Sequence, residues 1–229
     1  MKHRSLRLSE YREFMGRKHI PPHLRFSPDS PDLQSEREIQ LRALSVSLRL
    51  HFADDPAVVI GYRRPIKWHT DGETVIKTPV CWMVRFPNFG LTPQKDTEWE
   101  YTIDEAHPAP GWVLECEDPA LSPIECHDRA KLYIEGGGIR EYFLFSPALP
   151  DHQRIRAFQF KKGEFRRLEQ WALLWHSSHL QLDLTMLEGM IRLHDARVGI
   201  RVPTLLECLE QRWSEDSKVT RGLNDKGTR

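Results

Sequence analysis

The 229-residue chain has few cysteines and no long apolar run. None of its four cysteines lies in a CxxC pair, so we expect buried, reduced thiols and no disulfide or zinc framework. No segment approaches the roughly 18–20 apolar residues of a membrane span. The N-terminus also has no apolar core of signal-peptide length. These absences predict a cytoplasmic protein that makes no membrane contact.

Several familiar motifs are missing as well. The sequence contains no GxGxxG, Walker loop, HExxH or internal repeat. The glycines at 136–138 follow a predicted helix, whereas a phosphate loop precedes one. In "HSSH", His176 and His179 fall at strand positions that face opposite sides, which argues against a shared metal ion.

The formal net charge is zero, so the chain has no global polyanion-binding signature. Its charges are nevertheless unevenly distributed, with a basic segment over 1–26 and ten acids against one lysine over 94–128. This pattern would suit a nucleic acid held near metal-binding carboxylates, although charge alone favours a solvated arm and a solvated acidic face. If nucleic acid binds, the expected phosphate contacts are Arg4, Arg7, Arg12, Arg17 and Lys18.

A composition of 39% hydrophobic and 10% aromatic residues is typical of a soluble globular protein. The organisation that we predict is a basic, proline-rich arm over 1–34, one domain over 35–213 and a disordered tail over 214–229. The domain should begin with a helix and continue with short strands and hairpins. It should end with the helix "TLLECLEQRW".

The run "WVLECEDPALSPIECHDRAKLYIEGGGIREYFLFSP" reads as a strand, a helix, a glycine stop and a second strand. Such a unit should be a right-handed crossover between parallel strands. Glu115 lies at the carboxyl end of the first strand, where ligands of open α/β sheets collect, and an ionised group there is costly to bury. Glu115 and Glu117 share a face and would offer oxygens to a magnesium ion. A strand that has simply reached solvent explains the spacing equally well.

The same run resembles the Uma-type family of bacterial restriction endonucleases, within the PD-(D/E)XK nuclease superfamily. The family pattern is "P-x-h-V-h-E-h-h-S-P-S-T", "D-x-x-x-K-x-x-x-Y" and "G-V-x-E-Y-h-h-h-D-P", where h is apolar. The resemblance covers about 58–201. It implies an α/β, restriction-endonuclease-like mixed sheet with flanking helices. It also implies metal-dependent hydrolysis of DNA phosphodiesters, with Mg²⁺ as cofactor and DNA as partner. The matching positions are Glu115, Pro119, Tyr133, Glu141, Tyr142 and Pro147.

The chain departs from that pattern at two catalytic positions. Val80 stands where the family has its metal aspartate, and Arg129 stands where it has its helix lysine. The resemblance therefore implies Glu115 and Arg129 as the catalytic positions, with Glu115 and Glu117 as metal ligands, in an active site that is degenerate. A rearranged metal site would draw on other acids, namely Asp118, Asp71 or Glu73.

Three functional classes stay open from the sequence. The first is a nuclease, and the second is a non-catalytic nucleic-acid-binding or assembly protein that retains the nuclease fold. The third is an α/β domain without a nucleic-acid role. The sequence does not specify a DNA target or say whether the protein forms a homo-oligomer.

Overall fold

The computed structural model describes residues 36–86, 100–116 and 122–203, apart from 148, 162, 169–173, 188–189, 196 and 198. The predicted arm, the helix predicted over 204–213 and the tail lie outside the described residues. So does the segment 117–121, which includes Glu117 and Asp118. The predictions for these segments stay predictions.

The described residues form two α-helices, and the second continues directly into a π-helical turn. The helices are α1 (Glu36–His51) and α2 (Pro123–Lys131), and the π-helical turn is Leu132–Gly136. The strands are β1 (Val58–Tyr62), β2 (Ile66–Thr70), β3 (Glu73–Lys77), β4 (Cys81–Arg85), β5 (Tyr101–Thr102), β6 (Trp112–Cys116), β7 (Glu141–Phe145), β8 (Ile155–Lys161), β9 (Glu164–Arg167), β10 (Leu174–Ser177), β11 (Leu182–Leu187), β12 (Met190–Asp195) and β13 (Ile200–Val202).

A six-stranded mixed sheet with the order β1-β4-β6-β7-β8-β9 is at the centre of the fold. Its β6 and β7 are adjacent and parallel, with Leu114 opposite Phe143, and α2 connects them. The other pairs in this sheet are antiparallel. The predicted helical crossover between adjacent parallel strands is therefore confirmed, and its right-handedness stays a prediction.

Side chains of this sheet alternate between two apolar clusters. Leu114 and Phe143 pack with Leu48 of α1 and with residues of the four-stranded sheet β10-β11-β12-β13. Val113 and Tyr142 pack in the other cluster, with residues of α2 and of the three-stranded sheet β3-β2-β5. We call these the α1 face and the α2 face. The two helices thus cover opposite sides, as predicted for an α/β fold of restriction-endonuclease type.

The predicted hairpins form between β2 and β3, between β8 and β9, and between β11 and β12. Positive φ angles at Asp71 and Gly72 close the β2–β3 turn, and Gly163 does the same between β8 and β9. The strand β5 has only two residues, Tyr101 and Thr102. Asp104 ends it because its carboxylate accepts hydrogen bonds from the backbone N–H groups of Ala106 and His107, at 2.8 and 2.9 Å.

The three described cysteines are free thiols, as expected. Cys81 and Cys126 are buried, and burial raises the pKa of Cys81 to about 12. A thiol with such a pKa is a poor nucleophile at neutral pH. In the part of the chain that the structure describes, no helix is long and apolar enough to cross a membrane.

Candidate active site

Glu115 is buried at the carboxyl end of β6, with only 8% of its surface exposed. Two tyrosine hydroxyls compensate for this burial. Tyr133 donates to Oε1 and Tyr142 donates to Oε2, each at 2.6 Å. Short hydrogen bonds to a carboxylate are among the stronger polar contacts in proteins. The costly placement of Glu115 is therefore balanced by two dedicated donors.

The two tyrosines reach Glu115 from different elements. Glu115 is opposite Leu144 on β7, so Tyr142 projects from the same face two residues earlier. Tyr133 comes from the π-helical turn, and its ring centroid lies 5.1 Å from that of Tyr142. Burial, and then the negative charge of Glu115, raise the pKa of both tyrosines well above its ordinary value. Both hydroxyls therefore stay protonated and act as donors.

Helix α2 brings Arg129 to the same carboxylate. The helix starts with a capping box in which Ser122 Oγ accepts from the Glu125 N–H at 3.3 Å, and Glu125 Oε2 accepts from the Ser122 N–H at 2.7 Å. These hydrogen bonds lower the pKa of Glu125. One turn later, Arg129 Nη1 lies 3.6 Å from Glu115 Oε2, and a third of its side chain is exposed.

The structure brings together Glu115 and Arg129, the two predicted catalytic residues. It does not describe Glu117, the second predicted metal ligand. Val80 precedes β4 and packs against the cluster on the α1 face, whereas Glu115 projects to the α2 face. The position that the resemblance assigns to a metal aspartate thus carries a partly buried hydrocarbon side chain.

Of the acids considered for a rearranged site, Asp118 lies outside the described residues, Glu73 is exposed at the start of β3, and Asp71 lines a separate groove. Asp71 lines an open groove of about 440 Å³ together with Asp128 and Glu135. Lys131 lies on this groove and pairs with Glu135 at 3.6 Å, where both side chains are about half exposed. Lys131 is therefore a surface residue. Among the described residues, no group of three or more His, Cys, Asp or Glu side chains is arranged to hold a metal ion.

The described donor set around Glu115 does not fit Mg²⁺. This ion prefers octahedral oxygen ligands, with one or two carboxylates and several waters. Here the described residues supply a single carboxylate, and both of its oxygens already accept hydrogen bonds from tyrosines. The guanidinium of Arg129, at 3.6 Å, would also repel a cation.

Sequence reasoning missed the role of the tyrosines. It matched Tyr133 and Tyr142 to the family pattern but did not connect them to Glu115. Strand alternation was a usable signal for Tyr142, because residues of paired strands that face the same side become neighbours. No comparable signal exists for Tyr133, since its position depends on the π-helical turn.

A second buried carboxylate, Glu141, was also matched without a role. It lies on β7, is 2% exposed and faces the α1 side. The Ser177 hydroxyl donates to it at 2.5 Å, and Ser178 donates both its N–H, at 2.9 Å, and its hydroxyl, at 2.6 Å. Because both serines lie at the end of β10, this cluster fastens the six-stranded sheet to the four-stranded one.

Comparison with known proteins gives little further information. No family model matches the chain, and no curated protein matches it. Among solved structures, the chain is similar to a crystal structure described as a "putative nuclease belonging to DUF820" from Anabaena variabilis ATCC 29413. The similarity covers 60% of this chain and 69% of that chain, with 12% sequence identity and a TM-score of 0.41. The strand order and the parallel β6–β7 pair define the mixed α/β fold of this chain without that similarity.

Proposed function

We propose that this protein is a nuclease-fold protein that binds nucleic acid and hydrolyses DNA poorly or not at all with Mg²⁺. The observation that carries the proposal is the state of Glu115, whose two oxygens accept hydrogen bonds from Tyr133 and Tyr142 while Arg129 lies beside it. A residue in that state acts as an internal hydrogen-bond acceptor. It is poorly suited to act as a ligand of a hydrated cation.

The same geometry makes Arg129 suitable for binding phosphate. Its guanidinium keeps its charge at all accessible pH values and presents several N–H donors in one plane. Because the Glu115 contact is 3.6 Å long and a third of the side chain is exposed, donors remain available to a ligand. Arg129 is therefore the residue at this strand end that we expect to contact the nucleic-acid backbone.

Hydrolysis makes a further demand that Arg129 does not meet. In metal-assisted phosphodiester cleavage, the ion activates water and stabilises the developing negative charge. An arginine offsets phosphate charge, but its pKa is too high for it to act as a general base. Losing a main metal ligand should cost orders of magnitude in rate, or roughly several kcal/mol of barrier.

A plasmid-nicking assay with Mg²⁺ or Mn²⁺ tests the catalytic half of the proposal. We expect no nicking above background by the unmodified chain and no change in Glu115→Ala. Robust cleavage by the unmodified chain that disappears in Glu115→Ala would overturn the proposal, and would instead establish a working metal site completed by other residues.

Fluorescence anisotropy with labelled DNA tests the binding half. Arg129→Gln should weaken binding and lower its salt dependence by about one phosphate contact. Arg201→Gln is the control, because Arg201 is an exposed arginine on β13 of the four-stranded sheet. Equal affinity of the two variants would contradict the role assigned to Arg129.

A further inference from the structure

A row of side chains crosses the α2 face of the six-stranded sheet at some distance from Glu115. Phe160 on β8 is opposite Phe165 on β9, and its N–H donates to the carbonyl of Arg140, which directly precedes β7. Arg140, Phe160 and Phe165 are therefore neighbours across three adjoining backbone segments. We call Phe160 and Phe165, together with the adjoining Arg140, the aromatic row. Phe160 is 37% exposed, and only three other large apolar side chains among the described residues are exposed.

The aromatic row packs against further aromatic side chains of the α2 face. Phe165 stacks on Phe158 with ring centroids 5.5 Å apart and planes inclined by only 6°. His127 of α2 makes an edge contact with Phe165 at 4.9 Å. Phe158 also contacts Tyr142, so a continuous series of rings connects the row to the Glu115 cluster. A rigid, preorganised aromatic surface loses little conformational entropy when a ligand stacks on it.

Next to Phe160 is an open groove of about 420 Å³. Its lining consists of Ile134, Glu135, Gly138, Ile139, Arg140 and Phe160. The groove therefore combines apolar surface with one cation, Arg140, and one carboxylate, Glu135, which already pairs with Lys131 at 3.6 Å. A flat, partly apolar group attached to an anion would match the apolar surface and Arg140.

Positive charge dominates around this row. Arg140 and Arg167 are exposed, and neither guanidinium forms a hydrogen bond or ion pair with another residue in the described part of the chain. The nearby acids are largely balanced by cations, since Glu135 pairs with Lys131 at 3.6 Å and Glu164 lies 4.0 Å from Arg166. This local excess of positive charge contrasts with the zero net charge of the whole chain.

From these observations we infer that the aromatic row binds a single-stranded nucleic acid, with a base stacked on Phe160 and the flanking phosphates at Arg140 and Arg167. Exposed aromatic rings beside arginines are the standard means of holding single strands without sequence readout, because every base has a face to stack. In a duplex, base faces are covered by neighbouring pairs, so a duplex would use the arginines alone. The inference rests on the proposed function and names the class of strand and the surface that binds it.

Anisotropy titrations with a fluorescein-labelled oligothymidine of about 12 nucleotides, and with a duplex of equal length, test this inference. Phe160→Ala should weaken single-strand binding about tenfold and duplex binding by less than twofold, because stacking is lost while charge is kept. Phe160→Tyr should retain affinity, since it keeps a stacking ring. Leu187→Ala is the control, because Leu187 is similarly exposed, at 43%, on β11 of the four-stranded sheet.

Salt dependence separates stacking from charge. Arg140→Gln should reduce the slope of log K against log salt for the single strand by about 0.7, whereas Phe160→Ala should leave the slope unchanged. If the unmodified chain binds but Phe160→Ala matches Leu187→Ala, the inference is overturned and the proposed function survives. If the unmodified chain binds neither single strand nor duplex, both are overturned.

Discussion

Replacing Tyr142 by phenylalanine isolates one of the two hydrogen bonds to Glu115. The change removes a single buried oxygen and leaves the ring in place, so packing against Tyr133 is preserved. Glu115 Oε2 then keeps only Arg129, at 3.6 Å, among its described contacts. We expect Tyr142→Phe to lower the free energy of unfolding without changing the fold.

The size of the loss follows from the charge of the acceptor. A hydrogen bond to an ionised group contributes about 1.5–3 kcal/mol, whereas a neutral one contributes about 1 kcal/mol. We therefore expect a loss of about 2 kcal/mol in Tyr142→Phe, or roughly 4–8 °C in Tm for a chain of this size. The change Tyr133→Phe should cost somewhat more, because Tyr133 is the only described partner of Oε1.

Tyr101 provides a matched control. It is fully buried, and its hydroxyl donates to a neutral carbonyl, that of Pro108, at 2.8 Å. Tyr101→Phe should therefore cost only about 1 kcal/mol. In a Glu115→Gln background, where the acceptor is neutral, Tyr142→Phe should cost about the same as this control.

Urea unfolding followed by circular dichroism measures these differences. An unchanged m-value would show that each variant exposes the same amount of surface on unfolding as the unmodified chain. If Tyr142→Phe costs no more than Tyr101→Phe, or if its cost is the same in the Glu115→Gln background, the carboxylate is not held as described. The explanation for burying Glu115 would then fail.

Three further predictions concern pH, packing and the arm. Burial lowers the pKa of His179, with smaller opposing and reinforcing effects from a nearby carboxylate and two arginines. The neutral form is therefore favoured in the folded state, so the contribution of His179 to the free energy of unfolding should be fully present above about pH 6.5 and fall at lower pH. His179→Gln should reduce the difference in this free energy between urea titrations at about pH 7.5 and about pH 5.5. Gly61→Ala should destabilise the protein by about 1–3 kcal/mol or more, because its Cβ would lie 2.0 Å from the buried Trp82 ring. Gly136→Ala, with 3.5 Å to its nearest neighbour, should be nearly neutral, and urea unfolding of both variants measures the difference. Deleting residues 1–26 should reduce both DNA affinity and its salt slope, and unchanged binding would show that the arm does not contact phosphate.

The strand–helix–strand unit around Glu115 was predictable because its signals are local. Apolar runs, a Ser–Pro helix start and a glycine stop lie within one short segment, and together they fix the order of β6, α2 and β7. The hairpins were predictable for the same reason, since the turn residues lie between their strands. The distribution of these hairpins among three sheets depends on pairings between distant segments, and local pattern carries no information about those pairings.

The partners of the buried carboxylates were much less predictable. Tyr133 is 18 residues from Glu115 in the sequence, and the π-helical turn sets its direction. The serines that bind Glu141 are 36 and 37 residues away, on another sheet. A glutamate in an apolar run predicts that some compensating donor exists, but not which residue supplies it.

The most direct test of the central claim is anomalous scattering from crystals grown with Mn²⁺. If Glu115 is an internal acceptor for Tyr133 and Tyr142, no manganese peak should lie within coordination distance of its carboxylate, and both tyrosine hydroxyls should remain about 2.6 Å from its oxygens. A strong peak coordinated by Glu115, with the tyrosines displaced, would contradict the account and establish a metal site at the end of β6.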